Sequence, residues 1–165
     1  MKKILSLLVL MVAFTSCEED IKFNTPAVQG FKDNTLWRAD AFTATIGIDG
    51  SLVIAANTGF ESIILKASDF APGTYPFGMN ESDVLYPSQA SYTIAEESGV
   101  GSTYSTTLEG GRGQIVISSD ARETNLAQGY ISGSFRFNAV NDEGVIVYFA
   151  DGVFYKVPLT TAVPQ

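Results

Sequence analysis

From Val28 onward the sequence predicts one antiparallel all-β domain, a β-sandwich or flattened β-barrel of nine or ten short strands. Three observations predict it. Apolar and polar residues alternate with a period of two in segment after segment, as strands with one wet face require. Pairs such as Asp49-Gly50 and Asp151-Gly152 separate those segments, and glycine there supplies the positive φ that tight turns need. No stretch shows helical periodicity, with Lys66 to Ala71 amounting to one turn at most.

The elements follow in order. Gln29 to Lys32 and Thr35 to Ala39 are expected to open the domain as a hairpin across Asp33-Asn34. Phe42, Ala44, Ile46 and Ile48 alternate with Thr43, Thr45 and Gly47, and Asp49-Gly50 turns the chain into Leu52 to Ala56. Thr58-Gly59 turns it again into Phe60 to Leu65, completing a meander. Short strands are expected around Gly73 to Phe77, Ser91 to Ala95 and Gln114 to Ser118. In Tyr130 to Ala139, Ile131, Phe135, Phe137 and Ala139 face one way and Ser132, Ser134, Arg136 and Asn138 the other. Asn141 to Gly144 is turn chemistry, and Val145 to Ala150 and Val153 to Val157 read as two strands joined at Asp151-Gly152. Phe135, Phe137, Phe149 and Phe154 are assigned to the core. Residues 78–89 and 96–113 are long, polar and glycine-rich, and read as loops.

Composition narrows the function. The chain has 165 residues, 45% of them hydrophobic and 17% charged, enough apolar material for a sizeable core. It contains no histidine, which removes the commonest general base and metal ligand and every Ser-His-Asp or Cys-His arrangement. The single cysteine, Cys17, forms no intramolecular disulfide and builds no thiolate metal site alone. Beyond residue 16 there are eight basic residues against eighteen acidic ones, a net charge of −10. That balance argues against nucleic acid and against adsorption to anionic lipid headgroups.

Chemistry-bearing groups are sparse. Glu81 with Asp83, Glu96 with Glu97, and Asn141-Asp142-Glu143 are the densest acidic spots, each read as a solvated turn without a calcium-loop pattern. Gly110, Gly111 and Gly113 lack the following Lys-Ser/Thr of a phosphate loop. No metal and no cofactor is expected, and no catalytic residue. Tyr86, Tyr92 and Tyr104 are the candidate binding residues, with Trp37 and Tyr75 also beside loops, because aromatic faces stack on sugars or fill a partner's pocket.

The N-terminus reads as an address. Lys2 and Lys3 precede Ile4 to Phe14, an uncharged apolar run of eleven residues. A spanning helix needs about 17 to 25, so the run fits a signal-peptide core. Ser16 directly before Cys17 resembles the lipobox of bacterial lipoprotein signal peptides, although Phe14 stands where leucine is usual. The resemblance implies cleavage after residue 16 and diacylglyceryl attachment to Cys17. Two acyl chains suffice for stable anchoring where one does not. Glu18, Glu19 and Asp20 resemble the export signal of Bacteroidota surface lipoproteins, and residues 17–27 form an acidic tether to a domain spanning 28–165.

Four further stretches, TPAVQGFKDNTLWRA (25–39), PGTYPF (72–77), YISGSFRFNA (130–139) and DGVFYKVP (151–158), together with CEED (17–20), are similar to a family of uncharacterised Bacteroidota lipoproteins. The resemblance implies a small all-β lipoprotein and carries no catalytic or binding residue. The leading expectation is a non-catalytic, lipid-anchored binding or accessory module on the outer membrane, facing the cell surface or else the periplasm. Its partners are the membrane through the lipid, and a protein or glycan. One alternative is a calycin-like carrier of a small apolar ligand, which the many large inward Phe and Ile residues disfavour. Another is a hydrolase using two carboxylates.

Overall fold

In the computed structural model the described residues are 25–95 and 101–161. They form eleven strands: β1 (Ala27–Lys32), β2 (Thr35–Arg38), β3 (Ala41–Ile46), β4 (Leu52–Thr58), β5 (Glu61–Ala67), β6 (Gly73–Gly78), β7 (Gln89–Ile94), β8 (Ser102–Ser105), β9 (Arg112–Ile117), β10 (Tyr130–Val140) and β11 (Ile146–Thr161). One 3-10 turn, Leu126–Gln128, precedes β10. The all-β class is as expected. The details that differ include the count, eleven against nine or ten; β8 lies inside a predicted loop, Lys66 and Ala67 extend β5 in place of a helical turn, and Ile48 falls beyond β3, 80% exposed.

The strands belong to one sheet whose pairings return on themselves. β11 is the spine. Along one edge it pairs with β10; along the other it pairs antiparallel with β1 and then, at residues 159–161, parallel with β3. From β3 the sheet continues through β4, β5, β7 and β8, and Val140 opposite Ser105 returns it to β10. Two branches extend the ring: β2 on β1, and β9 with β6 on β10. Local sequence explains the turns. Asp33 and Asn34 both hold positive φ, 46° and 65°, as a two-residue hairpin turn demands. The Asp49 carboxylate accepts from the Ser51 amide and hydroxyl and closes the β3–β4 turn.

The expected turn at Asp151-Gly152 is instead a bulge within a strand sixteen residues long. The physical reason is parity. Phe149 and Phe154 are both buried, yet they are an odd five positions apart, so a regular strand would point them to opposite faces. Asp151, at φ 47°, inserts the extra residue that restores the face. Lys156, at φ 45°, repeats the device five residues later, so that Val157 also points inward. The register records both: the β10–β11 pairing slips between Ile131 and Gly133 and again between Phe135 and Phe137. The buried Ser132 hydroxyl fills the second bulge, accepting from the Lys156 amide at 2.8 Å and donating to the Glu123 carbonyl.

Large side chains fill the interior. Tyr92, Phe77 and Phe154 are among the most deeply buried, with Leu52, Ile54, Ile63, Leu65 and Ile115 around them. Phe149 stacks on Phe137 with centroids 4.8 Å apart and meets Trp37 and Tyr92 edge-on at 5.9 and 5.3 Å, the offset and T-shaped arrangements aromatic quadrupoles favour. The four phenylalanines assigned to the core all lie in it. No helix among the described residues is long and apolar enough to cross a membrane.

Candidate functional site

One polar cluster penetrates the aromatic core. Lys32 ends β1, Glu61 opens β5 and Tyr92 sits mid-way along β7. The strand registers place Lys32 opposite Phe149 and Tyr92 opposite Ile63, which brings the three side chains to one mouth of the ring. Lys32 Nζ donates to Glu61 Oε1 and, at 2.8 Å, to the Tyr92 hydroxyl. Its ammonium also lies 5.1 Å from the Tyr92 ring centroid. Trp37 Nε1–H sits near enough to favour the charged form of Glu61, but it completes no hydrogen bond and is the orphaned buried side-chain donor among the described residues.

The electrostatics hold each group in its ordinary form. Burial works against the Lys32 ammonium, yet hydrogen bonds to Glu61 and Tyr92 outweigh it and raise its pKa. Burial works against the Glu61 carboxylate too, and the Lys32 hydrogen bond outweighs that, leaving its pKa lowered. Burial pushes the Tyr92 hydroxyl up to about 12 against the opposing pull of Lys32. All three shifts lead away from neutrality, whereas acid–base catalysis works best with a pKa near the operating pH. What the contacts themselves do is tie the β1–β2 hairpin to β5 and β7.

Of the expected aromatic binding residues, Tyr86 lies in the loop between β6 and β7, whereas Tyr92 and Tyr104 lie on strands. Tyr92 lies within a strand, faces inward and is 1% exposed, so it is a core residue. Tyr104 is half-buried on β8 and packs against Tyr92 with centroids 5.7 Å apart. Tyr86, between β6 and β7, is half-buried and its amide donates to the Gly78 carbonyl. Trp37 is buried against Phe149, and the Tyr75 hydroxyl donates to the Ala71 carbonyl at 2.7 Å. Strand parity buries Tyr92: it shares a face with Ala90, and period two along 89–94 was the signal that could have shown it.

Cys17, Glu18, Glu19 and Asp20 lie outside the described residues, as do Glu96 and Glu97. Glu81, Asp83, Asp142 and Glu143 are exposed on turns closed by the side-chain oxygens of Asn80 and Asn141. Among the described residues no three acids converge on a point that could hold a metal ion.

The two outer walls of the sheet differ in chemistry. On β3, β4 and β5 an open groove of about 210 Å³ runs between Thr43, Ala55, Asn57, Ser62 and Ile64, all uncharged. On β2, β1, β11, β10 and β9 the outward positions include Leu36, Phe31, Tyr148 and Ile146, and also Arg38, Arg136 and Arg112. Charge follows secondary structure. Among the described residues the strands hold six basic residues and two acids, Glu61 and Asp151, while eleven acids and Arg122 lie in turns and loops. Sequence reasoning missed this segregation, although the turn assignments carried it.

Fold and surface thus define a small all-β domain with a filled interior and its exposed chemistry on walls and turns. The chain belongs to the family described as Domain of unknown function (DUF6252), which matches residues 24–158. No curated protein and no solved structure matches it.

Proposed function

We propose that the chain is a lipid-anchored, non-catalytic lipoprotein of the Bacteroidota type, held on the outer membrane through Cys17 and displayed at the cell surface as a binding or accessory module. The observation that carries the reading is the filled interior: Tyr92, Phe77 and Phe154 occupy the space a carried ligand would need. What the domain offers a partner is therefore its outside. The apolar run Ile4 to Phe14, the cysteine that follows it and the acidic run Glu18 to Asp20 support the anchor and the display.

The test is expression of the full chain in a Bacteroidota host. Wild type should sediment with membranes and yield an N-terminal peptide carrying a diacylglyceryl cysteine, while Cys17→Ala should move to the soluble fraction. A Cys17→Ala variant that still sediments sinks the anchor. Protease added to intact cells should degrade the domain, and full protection would move it to the periplasmic face.

A further inference from the structure

The wall formed by β2, β1, β11, β10 and β9 carries a pattern at odds with the protein's overall charge. Phe31 stands opposite Leu36 on β2 and opposite Ala150 on β11, and Tyr148 and Ile146 continue the outward row of β11. Leu36 is 60% exposed and Tyr148 55%. Around this apolar strip stand three arginines. Arg38 is two residues beyond Leu36, Arg136 faces the Asp151 bulge, and Arg112 pairs with Asn138, itself opposite Tyr148. Among the described residues none of the three has a carboxylate within salt-bridge distance, and Arg136 donates only to Gln114 at 3.3 Å. Asp151 is the acid among the outward strand positions, and Asp33, at the hairpin turn, accepts from the Tyr148 amide at 3.0 Å.

We propose that this wall docks on the anionic headgroups of the bilayer to which the chain is tethered, an inference that rests on the lipid anchor proposed above. The net charge of −10 would repel such a surface if it were spread evenly, but eleven of the thirteen described acids stand in turns and loops, and on the wall of the three arginines Asp151 is the one outward strand acid among the described residues. Guanidinium groups pair with phosphates in fork geometry, and Phe31, Leu36 and Tyr148 are the side chains that enter an interface beside them. Chain length favours the same face. β1 is the first strand of the described residues, and the nine residues between Cys17 and Ala27 reach at most about 33 Å. Five strands at about 4.8 Å spacing make a wall roughly 20 Å across, so the tether lets it lie flat on the membrane.

The lipidated full-length mature protein, reconstituted in vesicles of phosphatidylcholine with phosphatidylglycerol, tests this. With Cys17 acylated, Leu36→Cys, Tyr148→Cys or Thr43→Cys each supplies one free thiol for a fluorophore, quenched by nitroxide-labelled lipid. Labels at 36 and 148 should be quenched and the label at 43, on the uncharged wall, should not. Adding Arg38→Gln or Arg136→Gln should lower the ratio of docked to undocked protein roughly fivefold for each arginine, and high salt should act in the same direction. Equal quenching on both walls overturns docking, as does quenching that persists in pure phosphatidylcholine. Protection of residues 36 and 148 that depends on protein concentration and not on lipid assigns the wall to a second copy, and also overturns it. The mass of the N-terminal peptide from the same sample reports the anchor separately. An unmodified Cys17 sinks the anchor, whereas a modified Cys17 with residues 36 and 148 unquenched sinks the docking alone.

Discussion

The two walls of this domain are built by different rules. The wall of β3, β4, β5 and β7 is a run of regular antiparallel pairs: every residue from Ala41 to Ile46 faces one on β4, and every residue of β4 faces one on β5. The wall of β1, β10 and β11 loses register at each pairing with β11, carries two non-glycine residues in the left-handed region and brings backbones too close for side chains. The regular wall shows what alternation and turn residues achieve alone. The bulged wall shows what ring closure adds. A flat strand of sixteen residues does not curve around a core, and bulges supply the bend and twist that let it do so.

The largest way to break this contrast lies at Gly133. A Cβ there would stand 1.9 Å from the Val116 carbonyl oxygen and 2.4 Å from the Phe154 ring, with no room on the backbone side. Gly133→Ala should cost about 3 kcal/mol or more, at or above the upper end of ordinary overpacking, read as a fall in the urea midpoint. An unchanged midpoint would mean that the β9–β10–β11 wall yields enough to admit a methyl group.

A second test sharpens the role of the polar cluster that ties the walls together. The unfolded chain releases the Tyr92 proton near pH 10, whereas the folded chain keeps it to about 12. Stability is therefore intact below pH 10 and falls as pH rises from 10 to 12, by about 2 to 3 kcal/mol for a shift of this size. Lys32, also raised, loses its contribution in the same direction from its unfolded value of 10.5 upward. Urea midpoints at pH 8 and 11.5 should show the loss in wild type and a flatter limb in Tyr92→Phe. Equal slopes would remove Tyr92 from the account.

The smallest effect compares one substitution on each wall. Asp151→Val puts a β-branched residue at φ 47° and should cost about 1 to 2 kcal/mol. Thr45→Val, on a regular strand, should stay within about 0.5 kcal/mol because it forfeits little beyond an exposed hydroxyl contact with Thr160. Thermal melts of the pair give the comparison, and similar losses at both positions would abolish it.

The same division explains what could be read from residues alone. The opening hairpin, the meander from Phe42 to Leu65 and the strand at Tyr130 to Ala139 all appear where alternation and turn chemistry put them. Asp151-Gly152 was legible as a special conformation, because both turns and bulges recruit such residues, but its identity depended on the partner strand β1 far away in sequence. β8 escaped because Ser102 to Ser105 offers little apolar alternation and is held by pairing with β7. The Lys32–Glu61–Tyr92 cluster joins residues 29 and 60 positions apart, a proximity set by register and invisible to local pattern. The basic wall needed only the knowledge that the arginines sit on strands and the acids between them.

The long last strand has a consequence for timing. β11 grips β1, β3 and β10 at once, and its bond from Thr160 to the Ala44 carbonyl spans 116 residues. Until β11 arrives, β1 has only β2 beside it and β3 only β4, and closure waits on contacts of high sequence separation, which form slowly. A polypeptide whose ring closes only through residues 146–161 stays open for as long as that segment is missing, so the timing of closure belongs to one strand and not to the domain at large.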